Sequence, residues 1–341
     1  MRAGPELRSY PVPVYENVRP EGLRAHHTVA DLFPTTGAPP RLVVRPTAVA
    51  PPAEGRLPDP EDLEAALEPL VDLLAGRRLA VLTGAGVSTD SGIPDYRSPG
   101  SSPRRPMTHQ QFVSSAAFRR HYWARNHLGW RHLQAAEPND GHRALAAMEQ
   151  AGLLTGLITQ NIDLLHVRAG SHDVIHLHGR YDRVLCLRCG LVLSREEHDE
   201  TLVALNPHWR ERFTDVADLE VAPDADVVLE STADFKIADC PRCGGILKPD
   251  VVFFGDNTSK ERVEQAYALV DEAEGLLVAG SSLAVMGGLR FVRRAAKAQR
   301  PVGMVNRGAT RGDELASVRV HVGTSEALPM LAARLVERRN G

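Results

Sequence analysis

The alternation of short apolar runs with helical patterns constrains the fold of this chain more than any other feature. The apolar runs are bounded by polar or small residues, as is typical of buried parallel strands. They are Leu79–Thr83, Leu157–Thr159, Val174–Ile175, Leu276–Ala279 and Val302–Val305. Helices are expected between them at 142–151, 259–271 and 287–299. This order predicts the α/β class, with a doubly wound, Rossmann-like parallel sheet whose ligands bind at the carboxyl ends of the strands.

A further helix is predicted before the first strand. Asp59 and Pro60 suit the N-cap and the first helical position, and Gly76 marks the end. One apolar face of this helix contains Leu63, Leu67, Leu70 and Leu74.

A glycine-rich run follows the first strand directly. Gly84 and Gly86 leave room for backbone N–H groups to approach a pyrophosphate, as dinucleotide sites require. Thr89 stands where the third glycine of the usual fingerprint belongs, which weakens the interpretation as a hydride-transferring dehydrogenase. Taken alone, the run is equally compatible with an ordinary strand-to-helix turn.

Composition narrows the class of protein and its partners. The 341 residues, 43% of them apolar, are sufficient for one large domain with a smaller module. A net charge of −3 gives no general attraction to nucleic acid or to anionic membranes, and no apolar run reaches transmembrane length. We therefore expect a cytoplasmic protein with no nucleic-acid or membrane partner, and the oligomeric state stays open.

Residues 1–55 are expected to form an irregular N-terminal arm. Twelve of the 24 prolines fall within the first sixty residues, and such segments rarely form regular structure. A targeting segment is the alternative. Glu6, Glu16 and Glu21 disfavour a transit peptide, because transit peptides are poor in acidic residues.

All four cysteines occur in two C-x-x-C pairs, Cys186 with Cys189 and Cys240 with Cys243. In a reducing compartment this pattern indicates metal ligation rather than disulfide bonds. Four thiolates complete a tetrahedral zinc site with no open position, so the zinc is expected to be structural. Four unrelated buried thiols are the alternative. The zinc-ribbon module is predicted to be inserted at 183–250.

The segment between the two cysteine pairs is acidic. Residues 190–239 contain 13 acidic and 4 basic residues. A zinc ribbon that binds nucleic acid needs the opposite balance, because it must neutralise phosphates. We therefore expect a decorated insertion in the α/β domain, with a helix near 195–205.

Candidate catalytic side chains follow two of the predicted strands. His176 and His178 would share one face of a strand, so a metal-ligating pair is one interpretation. Asn161 and Asp163 follow another strand, and a helix cap is the alternative interpretation for them. Because the carboxyl ends of parallel strands meet at one edge, four segments that follow strands are expected to converge on one crevice. They are Gly84–Arg97, Gln160–Asp163, Gly280–Ser282 and Asn306–Gly308.

In combination, these motifs resemble the sirtuin family. The matching blocks are Gly84–Arg97, Gln160–Asp163, His178-Gly179, the two cysteine pairs, Lys248–Gly255 and Gly280–Ser282. The resemblance implies one NAD-binding catalytic domain over 56–335. Tyr96, the block Tyr122–Asn126 and Asp256 are similar to the class II branch, of the mitochondrial lipoamidase and ADP-ribosyltransferase type.

The resemblance implies an enzyme, an NAD-dependent protein deacetylase or deacylase. Such a transferase moves acyl groups from lysine side chains of proteins to ADP-ribose and releases nicotinamide. The implied ligands are NAD as co-substrate and one structural Zn²⁺. A protein mono-ADP-ribosyltransferase and a lipoamidase are alternatives that use the same site, and a non-enzymatic alternative is an NAD-sensing zinc-ribbon interaction module.

The resemblance also implies roles for individual residues. His178 would be the general base, and Asn161 and Asp163 would hold nicotinamide. The residues expected to contact NAD are Gly84, Ala85, Gly86, Ser88, Asp95, Tyr96, Arg97, Gln160, Asn161, Ile162, Asp163, Gly280, Ser281, Ser282, Asn306, Arg307, Gly308 and Thr324. The wall of the acyl-lysine tunnel is expected to comprise Val251, Phe253 and Phe254.

Two places depart from the usual pattern of the family. His176 stands where glutamate is common, so the hydrogen bonding around His178 is expected to differ. Tyr122 and Arg125 resemble a pair that reads acidic acyl groups in some members, although the spacing to Glu137–Asn139 is longer here. The alternative is a helix face that packs Tyr122 and exposes Arg125.

Overall fold

A computed structural model describes residues 61–95, 106–213 and 232–340. In this part of the chain the main sheet has six parallel strands. They are β1 (Leu79–Thr83), β2 (Leu154–Thr159), β3 (Val174–His176), β7 (Gly275–Ala279), β8 (Val302–Val305) and β9 (Val318–Val320). Their order across the sheet is β3-β2-β1-β7-β8-β9. The five predicted strands are confirmed, and the predicted doubly wound architecture with them.

Nine α-helices are found in the described residues. They are α1 (Leu63–Leu74), α2 (His109–Ser114), α3 (Ala116–Ala135), α4 (Asp140–Gln150), α5 (Leu165–Arg168), α6 (Arg195–Leu205), α7 (Lys260–Glu272), α8 (Met286–Lys297) and α9 (Thr324–Asn340). The three helices predicted between strands correspond to α4, α7 and α8, and the helix expected near 195–205 is α6.

Helix α1 begins later than the sequence pattern predicts. The side chain of Asp62 accepts a hydrogen bond from Ala65 N–H and caps the helix, whereas Asp59 and Pro60 lie outside the described residues. Asp62 is the cap because the capping residue must directly precede the first helical residue, Leu63. The helix ends at Leu74 and Gly76 follows with a φ of +72°, as the pattern predicts.

Each face of the main sheet packs against helices, as a doubly wound fold requires. On one face, the core includes Leu70 from α1, Leu145 from α4 and Leu328 from α9. On the other face, it includes Val270 from α7 and Phe291 from α8. The strands are therefore buried on both sides, which explains their continuous apolar runs.

Strand β1 lies between β2 and β7, and this position determines where a ligand can bind. The chain moves from β1 to β2 on one side and later from β7 to β8 on the other. The order of strands therefore reverses beside β1, and a crevice opens at the carboxyl ends of β1, β2 and β7.

A second, antiparallel sheet contains β4 (Gly179–Cys186), β5 (Val192–Ser194) and β6 (Leu247–Val251), in the order β5-β4-β6. We call this sheet, together with α6 and the four cysteines, the zinc module. The predicted limits of 183 and 250 fall inside β4 and β6. Trp123 of α3 and Phe253 pack against the module in a shared apolar cluster.

Among the described residues, no helix is both long enough and apolar enough to cross a membrane.

Candidate active site

The glycine-rich run forms a tight loop that is packed against the end of β7. A Cβ on Gly84 would lie 2.8 Å from Ser281 Cβ, and one on Gly86 would lie 2.9 Å from the oxygen of Gly280. Gly280 has a φ of +60°, and Gly86 N–H donates a hydrogen bond to its carbonyl at 2.8 Å. These glycines are therefore required by contact between the two loops, whereas the sequence suggests only approach to a phosphate.

Beneath this loop, polar side chains that follow β1 and β2 form a buried network. Ser88 Oγ donates a hydrogen bond to Asp163 Oδ2 at 2.7 Å, and Asn161 Nδ2 donates to Ser88 Oγ at 3.0 Å. Asn161 Nδ2 also donates to the carbonyl of Gly84 at 3.0 Å. The predicted glycine run and the predicted Asn161–Asp163 block are thus joined by direct hydrogen bonds.

The carboxyl group of Asp163 is almost completely buried and has no cationic partner among the described contacts. Burial raises its pKa, while the backbone N–H of Leu165 and the hydroxyl of Ser88 act in the opposite direction. Asp163 Oδ1 accepts the hydrogen bond from Leu165 at 3.0 Å, but the N-cap residue of α5 is Leu164, so neither Asn161 nor Asp163 occupies the cap position. A buried carboxyl group with a raised pKa in a crevice is typical of functional sites.

Two buried histidines that the sequence analysis did not select complete the network. His142 Nε2 lies 3.4 Å from Ser88 Oγ, and His166 Nε2 lies 2.9 Å from Thr83 Oγ1. Burial lowers the pKa of His142 to about 3 and that of His166 well below its ordinary value, so both rings are neutral. His142 is marked in the sequence only as part of a capping box with Asn139.

His178 lies between β3 and β4, at the border of the main sheet and the zinc module. Its Nδ1 is 3.0 Å from the carbonyl oxygen of Gln160. Because a carbonyl only accepts, Nδ1 carries the proton and Nε2 holds the lone pair of the neutral ring. Burial is the main reason that the pKa of His178 is lowered, with Arg290 and Arg262 adding to it and the Gln160 carbonyl opposing it.

Small residues make room around His178. Gly179 has a φ of +90°, and a Cβ there would collide with the backbone oxygen of Asp250. At the start of α8, a Cβ on Gly287 would lie 3.0 Å from His178 Nε2. His178 Nε2 therefore faces the first turn of α8, at the edge of the crevice.

Three further predicted NAD-contacting residues, Gln160, Thr324 and Asn306, form hydrogen bonds in or to the loops that follow the strands. Gln160 Nε2 donates to Ser281 Oγ at 2.8 Å. Thr324 Oγ1 donates to the carbonyl of Gly86 at 3.3 Å. Asn306 Nδ2 donates to the backbone oxygens of Arg307 and Gly308, both at 3.1 Å, and thereby shapes the turn after β8.

Further predicted residues have other contacts or lie outside the described part of the chain. Arg307 forms an ion pair with Glu326. Ser282 accepts a backbone hydrogen bond from Arg311 through its carbonyl. Asp95 is half-buried at the end of a described segment, and Tyr96 and Arg97 lie outside the described residues.

The residues predicted to line the acyl-lysine tunnel differ in burial. Val251 and Phe253 are buried in an apolar cluster with Tyr122, and the rings of Phe253 and Tyr122 are 5.1 Å apart. Phe254 is 45% exposed and lies outside that cluster, so its part in a tunnel stays a prediction. A small cavity of about 10 Å³ lies beside this cluster, and its walls are Tyr122, Asn126, Trp130, Ile162, Tyr181, Pro249 and Val251.

Tyr122 packs as the helix-face interpretation predicts, whereas Arg125 does not project fully into solvent. Tyr122 is 4% exposed and contacts the ring of Phe112 edge-on. Arg125 is half-buried, and its Nη1 lies 2.9 Å from His121 Nε2. His121 in turn contacts Thr232, in the segment that leads to the second cysteine pair.

The four cysteines come together at the far end of β4 and β6. Their sulfur atoms all lie within 4.8 Å of one another, with 3.5 Å between Cys186 and Cys243 and 3.7 Å between Cys189 and Cys240. Tetrahedral zinc with bonds of about 2.3 Å places sulfur atoms roughly 3.8 Å apart. The residues therefore fit a structural zinc, and the interpretation as four unrelated thiols is wrong. His176 and His178 belong to no such cluster in the described part of the chain.

Comparison with known proteins agrees with this geometry. Residues 84–287 match the model of the Sir2 family. NAD-dependent protein deacetylase 1 of Mycobacterium avium is 59% identical over 78% of this chain and 94% of its own length. The mitochondrial NAD-dependent protein lipoamidase sirtuin-4 of Homo sapiens is 45% identical over 75% of this chain and 82% of its own length.

Solved structures resemble the fold over nearly their whole length. A Sir2 homologue in complex with ADP-ribose has a TM-score of 0.63 and 26% identity, and the match covers 80% of this chain and 98% of that one. Sir2Tm bound to a propionylated peptide has a TM-score of 0.59 and 27% identity, with the same coverage. Together with the matched motifs and the crevice, these likenesses establish that this chain belongs to the Sir2 family.

Proposed function

We propose that this protein uses NAD to remove acyl groups from lysine side chains of proteins, with His178 as the general base. The observation that carries the proposal is a chain of hydrogen bonds at the carboxyl ends of the strands. Gln160, Asn161 and Asp163 are bonded to the loops after β1 and β7, and His178 is bonded to the backbone oxygen of Gln160. When bound, NAD supplies a nicotinamide leaving group and a ribose that accepts the acyl group.

The residues of the crevice fit such a ligand. The Asn161 amide, the Ser88 hydroxyl and the Asp163 carboxyl group offer hydrogen bonds to a carboxamide, as nicotinamide carries. The loop after β1 lies where doubly wound folds bind pyrophosphate. Ser281, Asn306 and Thr324 would contact the ribose and adenosine parts.

His178 is suited to accept a proton. Its Nδ1 is bonded to the carbonyl of Gln160, and its lone pair is on Nε2, which lies beside Gly287 in the first turn of α8. Its lowered pKa keeps the ring neutral at pH 7, which a general base requires. The ring would take a proton from a ribose hydroxyl during attack on the acyl carbon, while the apolar wall of Val251 and Phe253 excludes water.

Replacement of His178 by tyrosine tests this assignment. A general base contributes about 10²-fold to 10⁴-fold to the rate, so we expect at least that loss in His178→Tyr with an acetyl-lysine peptide and NAD. Exposed His172, in the loop before β3, gives a matched control, and His172→Tyr should retain activity. Full activity of His178→Tyr would contradict the role. Mass spectrometry of the products distinguishes O-acyl-ADP-ribose from an ADP-ribosylated protein.

A lipoamidase is the second candidate, because the human relative bears that name. The cavity beside Val251 has room for about one water-sized group. We therefore expect acetyl-lysine to be turned over faster than lipoyl-lysine. The larger lipoyl group could bind only if side chains around the cavity moved. The reverse order of rates would make lipoamidase the better description.

The proposal extends to the location and the partners of the protein. We expect a cytoplasmic protein without a nucleic-acid partner, and the acidic segment 190–239 supports the second expectation. The human relative is named as mitochondrial, so imaging of a tagged full-length chain is the appropriate test of location.

A further inference from the structure

One buried charge has no part in the chemistry proposed above. Lys248 on β6 is 5% exposed. Its ammonium group donates hydrogen bonds to the backbone oxygens of Val251 and, at 3.3 Å, of Pro249. It also lies 4.6 Å from the centre of the Phe253 ring and 3.7 Å from Asp256 Oδ2. All four partners belong to the segment 249–256, which carries the apolar wall.

Burying an ammonium group is unfavourable unless its hydrogen bonds are satisfied. Burial lowers the pKa of Lys248 to about 8, with Asp256 and Asp250 acting in the opposite direction and Arg262 adding to the decrease. Methionine would fill similar space without this penalty. The ammonium group therefore has a role that an apolar side chain of the same length could not fill, which is to donate hydrogen bonds to the backbone of the segment 249–256.

The segment held by Lys248 is also bonded to the backbone of His178. Val252 N–H donates to the carbonyl oxygen of His178 at 2.8 Å, and Val251 pairs with Gly179 across the small sheet. The peptide unit between Val251 and Val252 is thus fixed on both sides, by Lys248 at its carbonyl and by His178 at its N–H.

A second contact fixes the far end of the segment. Asp256 Oδ2 lies 3.1 Å from His109 Nδ1 at the start of α2, and His109 N–H donates to the carbonyl of Phe254 at 3.0 Å. Asp256 is therefore shared between α2 and Lys248, so the turn at 253–256 is held from both sides.

We propose that Lys248 is a positioning residue for acyl-lysine, which holds the segment 249–256 against the backbone of His178. The inference rests on the proposed deacylase function. Loss of the ammonium group would leave the carbonyl of Val251 without its donor and allow the apolar wall to move away from His178. Peptide binding would weaken, while the affinity for NAD, which would be held by the loops after β1 and β7, should not change.

The first test compares Lys248→Met with Lys248→Arg, and uses Lys260→Met on an exposed lysine as control. Hydrogen bonds from a charged group are worth about 1.5–3 kcal/mol, which corresponds to roughly 10-fold to 100-fold in affinity. We expect Lys248→Met to raise the Kd of a fluorescent acetyl-lysine peptide by about that factor and to change the KM for NAD less than twofold. Lys248→Arg should lose less peptide affinity than Lys248→Met, and the control Lys260→Met should bind the peptide as tightly as the wild type.

The second test uses pH and does not depend on how well Lys248→Met folds. The charged groups that act on Lys248 are Asp256, Asp250 and Arg262, and His109 contacts the same carboxyl group of Asp256. Peptide affinity of the wild type should fall as pH rises through about 8, because the ammonium group loses its proton. Asp256→Asn removes the nearest counter-charge and should move this fall to lower pH.

An unchanged peptide Kd in Lys248→Met would overturn the inference, and so would equal losses for peptide and NAD. A wild-type pH profile that Asp256→Asn does not move would overturn it as well. Turnover by the wild type tests only the deacylase function, whereas the ratio of peptide Kd values tests only Lys248, so the two failures are distinguishable.

Discussion

Asp163 and Asp199 show two opposite ways of burying a carboxyl group in one molecule. Asp163, beneath the crevice, is bonded to neutral donors, and burial raises its pKa. Asp199 of α6 is also buried, but it contacts His127 at 2.6 Å, Arg210 at 2.7 Å and Arg195 at 3.5 Å. Burial alone would raise the pKa of Asp199, and these neighbours instead hold it well below its usual range.

The difference separates a binding site from a structural joint. Around Asp199, Arg195 is 2% exposed and lies between the rings of Trp123 and Trp130. This cluster fastens α3 to the zinc module, and the carboxylate of Asp199 lies among arginine side chains. Asp163 is oriented by hydrogen bonds from neutral groups and has no cation among its described contacts, so a ligand can still add a stabilising hydrogen bond to it.

Removal of zinc is expected to have the largest effect. It would disrupt the zinc module, which contains Asp199, and leave the crevice around Asp163 in place. A structural zinc site with four cysteine ligands contributes on the order of 10 kcal/mol of folding free energy. Chelation, or Cys243→Ser, should unfold the zinc module and abolish peptide binding, because β4 begins at Gly179 beside His178. NAD affinity should change less than peptide affinity. Calorimetry with each ligand measures this, and equal loss of both would mean that the crevice depends on the module.

Asp199→Asn tests the structural joint. Breaking a buried ion pair from one side costs about 3–5 kcal/mol, because Arg195 would remain buried without its counter-charge. Urea unfolding should show a decrease of that size in the free energy of unfolding. A decrease below about 1 kcal/mol, the worth of an exposed pair, would mean that the cluster contributes little.

Asp163→Asn should have the opposite effect, because it should lower turnover without lowering stability. The folded state disfavours the carboxylate form of Asp163, so the neutral amide should leave stability at pH 7 unchanged or raise it. Turnover should nevertheless fall by about 10²-fold, the size expected for a lost electrostatic contact to the reacting group. Steady-state kinetics beside urea unfolding decide the point, and a variant that is both unstable and active would invert the comparison.

The smallest expected effect concerns the pH dependence of the wild type. The base form of His178 must be neutral, and its pKa lies below the ordinary value of about 6.5. Activity measured as kcat/KM should therefore persist as pH falls through about 6.5 and decline only below it. Half-maximal activity at or above about pH 6.5 would show that a different group limits the reaction.

Sequence patterns predicted the sheet and the zinc ligands well, for physical reasons. Strands buried on both faces must be apolar, as β7 is throughout, and Cys186 with Cys189 on a tight turn has few uses other than metal binding. The helical period likewise predicted α8, whose buried face includes Leu289 and Phe291.

Sequence patterns could not predict contacts between side chains that are far apart in the chain. His142 and His166 come from different helices, and their rings meet at 4.8 Å only because α4 and α5 pack together. The burial of Lys248 is also invisible, because a lysine in a strand is usually expected at the surface. In both cases the local pattern carries no information about what lies across the fold.

The contact between Gly86 and Gly280 has a practical consequence for inhibitors. The floor of the crevice consists there of backbone on both sides, since a Cβ on either glycine would collide with the other loop. A compound that touches only this floor would find the same surface in any enzyme with both glycines. A selective compound would need to extend to the cavity beside Val251, where Asn126, Trp130 and Tyr181 present side chains that differ in shape and polarity.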